Sequence, residues 1–140
     1  MKDGQIIEVV KLLPIYFLFI ATFTQASMEK FLSKGVPDWF QKQFEPTILN
    51  FFPGALNLQY YLLALLEASV VLLFVMSLAS LEFLPEHNRL FLKVALILAL
   101  FTFFALGFGL RMSGDFQGAA NLFSYFGFTF LIFFYVEKFA

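Results

Sequence analysis

The chain has no cysteine, one histidine and one tryptophan in 140 residues, and only 14% of it is charged. Without cysteine there are no disulfides, no thiol redox chemistry, no iron–sulfur ligation and no thiolate metal site. The single histidine, His87, cannot supply both axial ligands of a b-type haem. No His/Asp/Glu group has metal-ligand spacing, so no metal site is expected. Nine basic and ten acidic residues leave a net charge of −1, without the basic stripe that nucleic acids require. Phosphate loops, nucleophile elbows and metalloprotease motifs are absent too. The sequence therefore leans away from an enzyme and from any cofactor ligated by this chain.

The scarcity of charge has its counterpart in an excess of apolar residues: 61% of the chain, with mean hydropathy +0.83. Soluble domains carry about 45–50% apolar and about 25% charged residues. The class is an all-α integral membrane protein forming a single domain, with the lipid bilayer as its first partner. Phenylalanine occurs 23 times, which fits ring-packed helix contacts, an aromatic-lined cavity or plain lipid-facing bulk. Asp3 and Glu8 dilute the basic start, and the apolar stretch runs past Phe23 without a small-x-small site. It reads as a retained first span rather than a cleaved signal.

A membrane helix needs about 20 mostly apolar residues. Four stretches qualify: about 6–28, 60–84, 90–110 and 116–136. Backbone groups in lipid must be satisfied internally, so these are helices. Pro14 either starts the regular part of the first helix or kinks it. The Pro85–Arg89 connection is about five residues long, which makes spans two and three a tight antiparallel pair. The pattern is an up-down-up-down four-helix bundle.

The first loop, 29–59, is longer and structured. Pro37 and Asp38 suit a helix start. Phe40, Phe44 and Ile48 recur at helical spacing opposite Gln41, Lys42 and Glu45. This predicts an amphipathic helix, ended or bent by Pro46. It either lies in the membrane interface, anchored by Trp39, Phe40 and Phe44, or caps the bundle.

Positive charge biases orientation. Lys2, Lys11, Arg89, Lys93 and Lys138 share one side, against Lys30, Lys34, Lys42 and Arg111 on the other. The bias of one charge places the termini in the cytoplasm.

Glu67 is the most informative residue. It lies about seven residues beyond Tyr60, on the order of 10 Å into span two. A carboxylate at that depth is costly, so it faces the bundle interior and has a partner. It either lines a polar pocket or is buried glue between helices. Arg111, on one face with Phe104 and Gly107, is one candidate partner, and Lys30 is the rival. Gln25, with Thr22 and Glu29, and Asn121, with Ser124 and Tyr125, add polar groups in the same half of the bundle. The other half is almost wholly apolar. The ligand-binding candidates are thus Glu67, Arg111, Lys30, Gln25 and Asn121. Asp115 and the neighbouring glycines read as a turn, His87 as a solvated turn residue, and Glu82 as a group that reaches the interface.

Gln25 through Glu29-Lys30-Phe31-Leu32, followed by a long loop and then Leu62-Leu63-Ala64-Leu65-Leu66-Glu67-Ala68, resembles the DoxX-like family of small four-helix bacterial membrane proteins. Ser27 and Ala68-Ser69 stand where that family often has glycine. The resemblance implies a bundle in the bacterial cytoplasmic membrane, with Lys30 and Glu67 at the emphasised positions. Some relatives are similar to membrane subunits of a thiosulfate:quinone oxidoreductase. The expectation is an accessory or ligand-binding subunit holding a quinone-like or lipid-like molecule. The alternative is a structural or assembly subunit, joined to other membrane subunits or to copies of itself through the Phe123, Phe126, Phe130, Phe133 and Phe134 face. A small-solute or proton carrier using Glu67 is a third reading.

Overall fold

The computed structural model describes residues 3–33, 35–84 and 88–139. Lys2, Lys34, His87 and most of the Pro85–Arg89 connection lie outside the described residues. Five helices occur, α1 (Asp3–Leu32), α2 (Asp38–Phe44), α3 (Ala55–Ala79), α4 (Leu90–Ser113) and α5 (Phe116–Phe139), and no strand is found among the described residues. All except α2 are long and apolar enough to cross a membrane.

Each long helix buries one stripe. In α1 the buried positions are Leu12, Tyr16, Phe19, Phe23 and Ser27, steps of three and four that track a 3.6-residue turn. Pro14 lies inside this helix, so it does not mark the start. In α3 the stripe runs Leu56, Tyr60, Ala64, Glu67, Val70, Phe74, Ser77. α1 packs on α3, α3 on α4, and α4 on α5. Ala64, Ala95 and Ala99 are fully buried; small side chains on buried faces let membrane helices approach closely.

Part of the phenylalanine forms internal ring contacts. Phe19 stacks on Phe74 at 5.1 Å, Tyr16 meets Phe74 edge-on at 6.0 Å, and Phe23 lies 5.2 Å from Phe103. The main core combines these rings with Leu12, Val70, Leu92, Leu96 and Val136. A second, smaller cluster joins Phe40 and Phe44 of α2 to Leu56 and Tyr60 of α3, with Val36, Leu49 and Leu110 packed on it. Residues 35–54 form a roof pinned to the bundle. Gln59 donates to the Leu49 carbonyl at 2.8 Å, and Gln43 to Ser113 Oγ at 3.0 Å. α2 ends at Phe44, ahead of Pro46, and Thr47 Oγ1 donates to the freed Phe44 carbonyl at 2.6 Å.

The second helix is displaced from its expected range of 60–84. Gly54, with φ of 82°, lets α3 start at Ala55. It stops at Ala79 in a Schellman turn: Glu82 N–H donates to the Ser77 carbonyl and Leu81 N–H to that of Leu78. Leu81 occupies the left-handed position with φ of 57°, a place usually held by glycine.

This turn corrects the expectation for Glu82. Its side chain is 4% exposed and does not reach an interface. The carboxylate accepts from the backbone N–H groups of Phe91 (3.0 Å) and Leu92 (2.9 Å) at the start of α4. It also accepts from Ser77 Oγ at 2.7 Å, and Ser77 is bonded to Tyr16 OH at 2.6 Å. A negative group meeting the free N–H groups of a helix start is favourable on both counts, hydrogen bonding and dipole. At the same end of the molecule Tyr135 OH of α5 donates to Glu8 of α1 at 3.1 Å.

Candidate functional site

The end of α1 meets α3 at Ser33, whose Oγ lies 3.5 Å from Tyr60 OH. The first turns of α3 therefore stand beyond α1 and carry the roof. Because α3 begins at Ala55, Glu67 lies about 18 Å into that helix at 1.5 Å per residue, deeper than the sequence placed it. It is 1% exposed.

The partner of Glu67 is Lys30. Its ammonium donates to Oε1 at 3.0 Å and to Oε2 at 3.1 Å, and stands 5.9 Å from the centre of the Tyr60 ring. The pair follows from the two stripes. Lys30 continues the buried face of α1 one step beyond Ser27, and Glu67 occupies the buried face of α3. Where the helices pack, the long lysine stem lies along apolar surface and delivers its charge to the carboxylate. Removing one partner of such a pair leaves an uncompensated buried charge.

Beside this pair lies a cavity of about 670 Å³. Its roof is Phe40, Phe44 and Leu49. Its walls are Leu62, Leu63 and Leu66 of α3 and Phe104, Ala105 and Phe108 of α4. Lys30, Ser33, Gln59, Tyr60 and Glu29 supply its polar groups. Glu67 does not line it; the carboxylate sits behind Lys30 and fixes the ammonium at the wall. A mostly apolar cleft of this size with a few convergent polar groups is the usual form of a small-molecule site. No family model, curated protein or solved structure matches this chain. The site is therefore read from its own geometry.

The other candidates fall elsewhere. Arg111 is exposed, with its guanidinium 4.4 Å from the centre of the Phe116 ring, and takes no part in holding Glu67. Its helical face turns toward the start of α5. Gln25 and Asn121 are exposed and line no part of the cavity. Their spacing put them in the right half of the bundle but on its outer surface. Of the three expected anchors, Phe40 and Phe44 are buried against Leu56 and Tyr60, as a capping segment would be. Trp39 alone is exposed, at 63%, on the rim of the cavity. Gly107 does admit a close neighbour: a methyl group there would stand 2.8 Å from the Phe123 ring. Sequence reasoning missed Tyr60, Ser33 and Gln59. Tyr60 was visible as the helix-spaced predecessor of Ala64 and Glu67, but it read as a helix start and not as a wall.

Proposed function

We propose that this chain is a ligand-binding accessory subunit of a bacterial cytoplasmic membrane. In this reading it is of DoxX-like type and holds a quinone-like or lipid-like molecule in the outer half of the bundle. The observation that carries the reading is the Lys30–Glu67 pair at the wall of an apolar, aromatic-roofed cavity. A buried ion pair is a weak device for stability alone, whereas one that holds an ammonium at a cavity wall gives an apolar ligand a polar contact that fixes its orientation.

The helices alternate up-down-up-down, with the termini in the cytoplasm and the roof on the outer face. Support comes from contacts at the two ends. Gln43 of the roof bonds Ser113 at the end of α4, while Glu82 after α3 caps the start of α4 and Tyr135 late in α5 bonds Glu8 early in α1. Trp39, with its amphipathic ring exposed beside the roof, sits at headgroup level.

The test is native mass spectrometry of the protein released from gentle detergent. The wild type is expected to carry a bound small molecule, and Ala105→Phe, which fills the cavity, and Lys30→Gln are each expected to lose it. Retention of the same molecule by both variants would falsify the reading. A second reading, a structural subunit, is favoured by α5 alone, where Phe123, Phe130 and Phe134 of the expected face are exposed, as is Phe128, while Phe126 and Phe133 pack on the main core. A partner chain in the same spectrum, retained by both variants, would mark that role.

A further inference from the structure

We infer that the cavity is filled sideways from the bilayer, through the cleft between α3 and α4, by an amphiphile with an uncharged, hydrogen-bond-accepting head. This rests on the ligand-binding reading above and adds a route and a ligand class to it.

The route follows from which sides are shut. The roof is held down: Phe40 and Phe44 are buried in their own cluster, and the Gln59–Leu49 and Gln43–Ser113 bonds pin the segment, leaving only Trp39 exposed at its rim. The cavity does not run down into the main core, none of whose buried residues lines it. Leu62, Phe104 and Phe108 differ from both. They line the cavity and are exposed, on helices long and apolar enough to cross a membrane. Leu62 and Leu66 lie about 10 and 16 Å into α3 at 1.5 Å per residue, below the roof and within a helix long and apolar enough to cross a membrane. The opening therefore meets acyl chains, and a long apolar tail can remain in lipid while the head passes inward.

The head is defined by the charges and free donors it meets. The Lys30 charge is already matched by Glu67, and the one carboxylate on the lining among the described residues is Glu29 of α1, which is exposed. An anionic head thus finds no net positive charge and is opposed by Glu29. A cationic head is opposed by the Lys30 ammonium on the same lining. The hydrogen-bonding groups that remain include free donors. An ammonium has three N–H bonds, two of which go to Glu67. The Gln59 amide uses one N–H on Leu49 and keeps another. Tyr60 OH has only the 3.5 Å contact with Ser33. A neutral carbonyl, ester or ether oxygen satisfies these donors without adding charge to a site already balanced.

The test uses Trp39, the sole tryptophan, on the rim of the cavity as a reporter. Full-length protein in phosphatidylcholine nanodiscs is titrated with three probes that share a dibromostearyl tail: the methyl ester, the free acid and the primary amine. The ester is expected to quench Trp39 saturably at low mole fraction. The acid and amine should show only the linear quenching of probes dissolved in lipid. Ala105→Phe and, independently, Leu63→Phe should abolish the saturable part. Saturable quenching by the acid or amine as strong as that by the ester overturns the head-group assignment. Absence of a saturable part for all three probes overturns the ligand-binding reading itself. The route is read from rates. The chain is free of cysteine, so Gln43→Cys and Ser113→Cys can be joined by a short thiol-reactive linker that locks the roof. Lateral passage predicts an unchanged association rate for the ester; a tenfold or greater slowing overturns it.

Discussion

At the scale of single residues, two carboxylates decide the interior of this protein, and they differ in how visible they are. Glu67 was legible because a charge inside a Leu/Ala run is costly wherever the helix goes. Its partner was not, since Arg111 and Lys30 were both within plausible reach. Only the packing of α1 on α3 selects Lys30. A double-mutant cycle measures the pair. Glu67→Gln and Lys30→Met are each expected to lose about 3–5 kcal/mol, because either leaves a buried charge without its counter-charge. The double variant should recover most of that loss, giving a coupling energy well above the ~0.5 kcal/mol expected of independent sites. Reversible unfolding in mixed micelles supplies the four values. Additive losses would mean that the two side chains stabilise the fold separately and that Lys30 is not held by Glu67.

At the scale of elements, the long helices were legible from their apolar runs, and their ends were not. The sequence extends the second span to Leu84, because Leu81 and Phe83 continue the apolar pattern. The chain instead turns at Leu81, in a conformation that a leucine adopts only when neighbouring contacts hold it there. Those contacts are the two carbonyl bonds of the Schellman turn and the capping bonds of Glu82. The role of Glu82 was hidden for the same reason: its partners are backbone groups nine and ten residues ahead. Two substitutions at this corner should act in opposite directions. Leu81→Gly removes left-handed strain at a side chain already 46% exposed, and should stabilise by about 1 kcal/mol. Glu82→Ala leaves two N–H groups of α4 and the Ser77 hydroxyl without their acceptor, and should destabilise by about 2 kcal/mol or more. Thermal unfolding in one detergent ranks them; a destabilised Leu81→Gly would show that the leucine side chain contributes more than its backbone strain subtracts. The short α2 gives the complementary lesson. Its apolar face reads the same whether it meets lipid or protein, and only the neighbouring Tyr60 and Leu56 show that it turns inward.

At the scale of the whole molecule, the apolar composition selects the membrane but says little about which face of the bundle points outward. The lysine and arginine bias amounts to one charge, with Lys2 and Lys34 in the count and outside the described residues. The absence of cysteine makes the question testable without background labelling. Asp38 follows α1, Asp115 follows α4, and Glu137 lies near the end of α5; all three are exposed. In the proposed alternating topology the first two share the outer face and the third lies in the cytoplasm. Asp38→Cys and Asp115→Cys should therefore react with a membrane-impermeant maleimide on intact spheroplasts. Glu137→Cys should react only after permeabilisation. Reversed labelling of all three would keep the bundle but invert it, which would put the Lys30 cavity in the inner leaflet. Labelling of Asp38→Cys and Asp115→Cys from opposite sides would break the alternation itself, because an even number of crossings must separate two positions on one face. The roof supplies an internal check on that result. Gln43 in the 35–54 segment is bonded to Ser113, two residues before Asp115, so a chain folded as described cannot present Asp38 and Asp115 to different compartments.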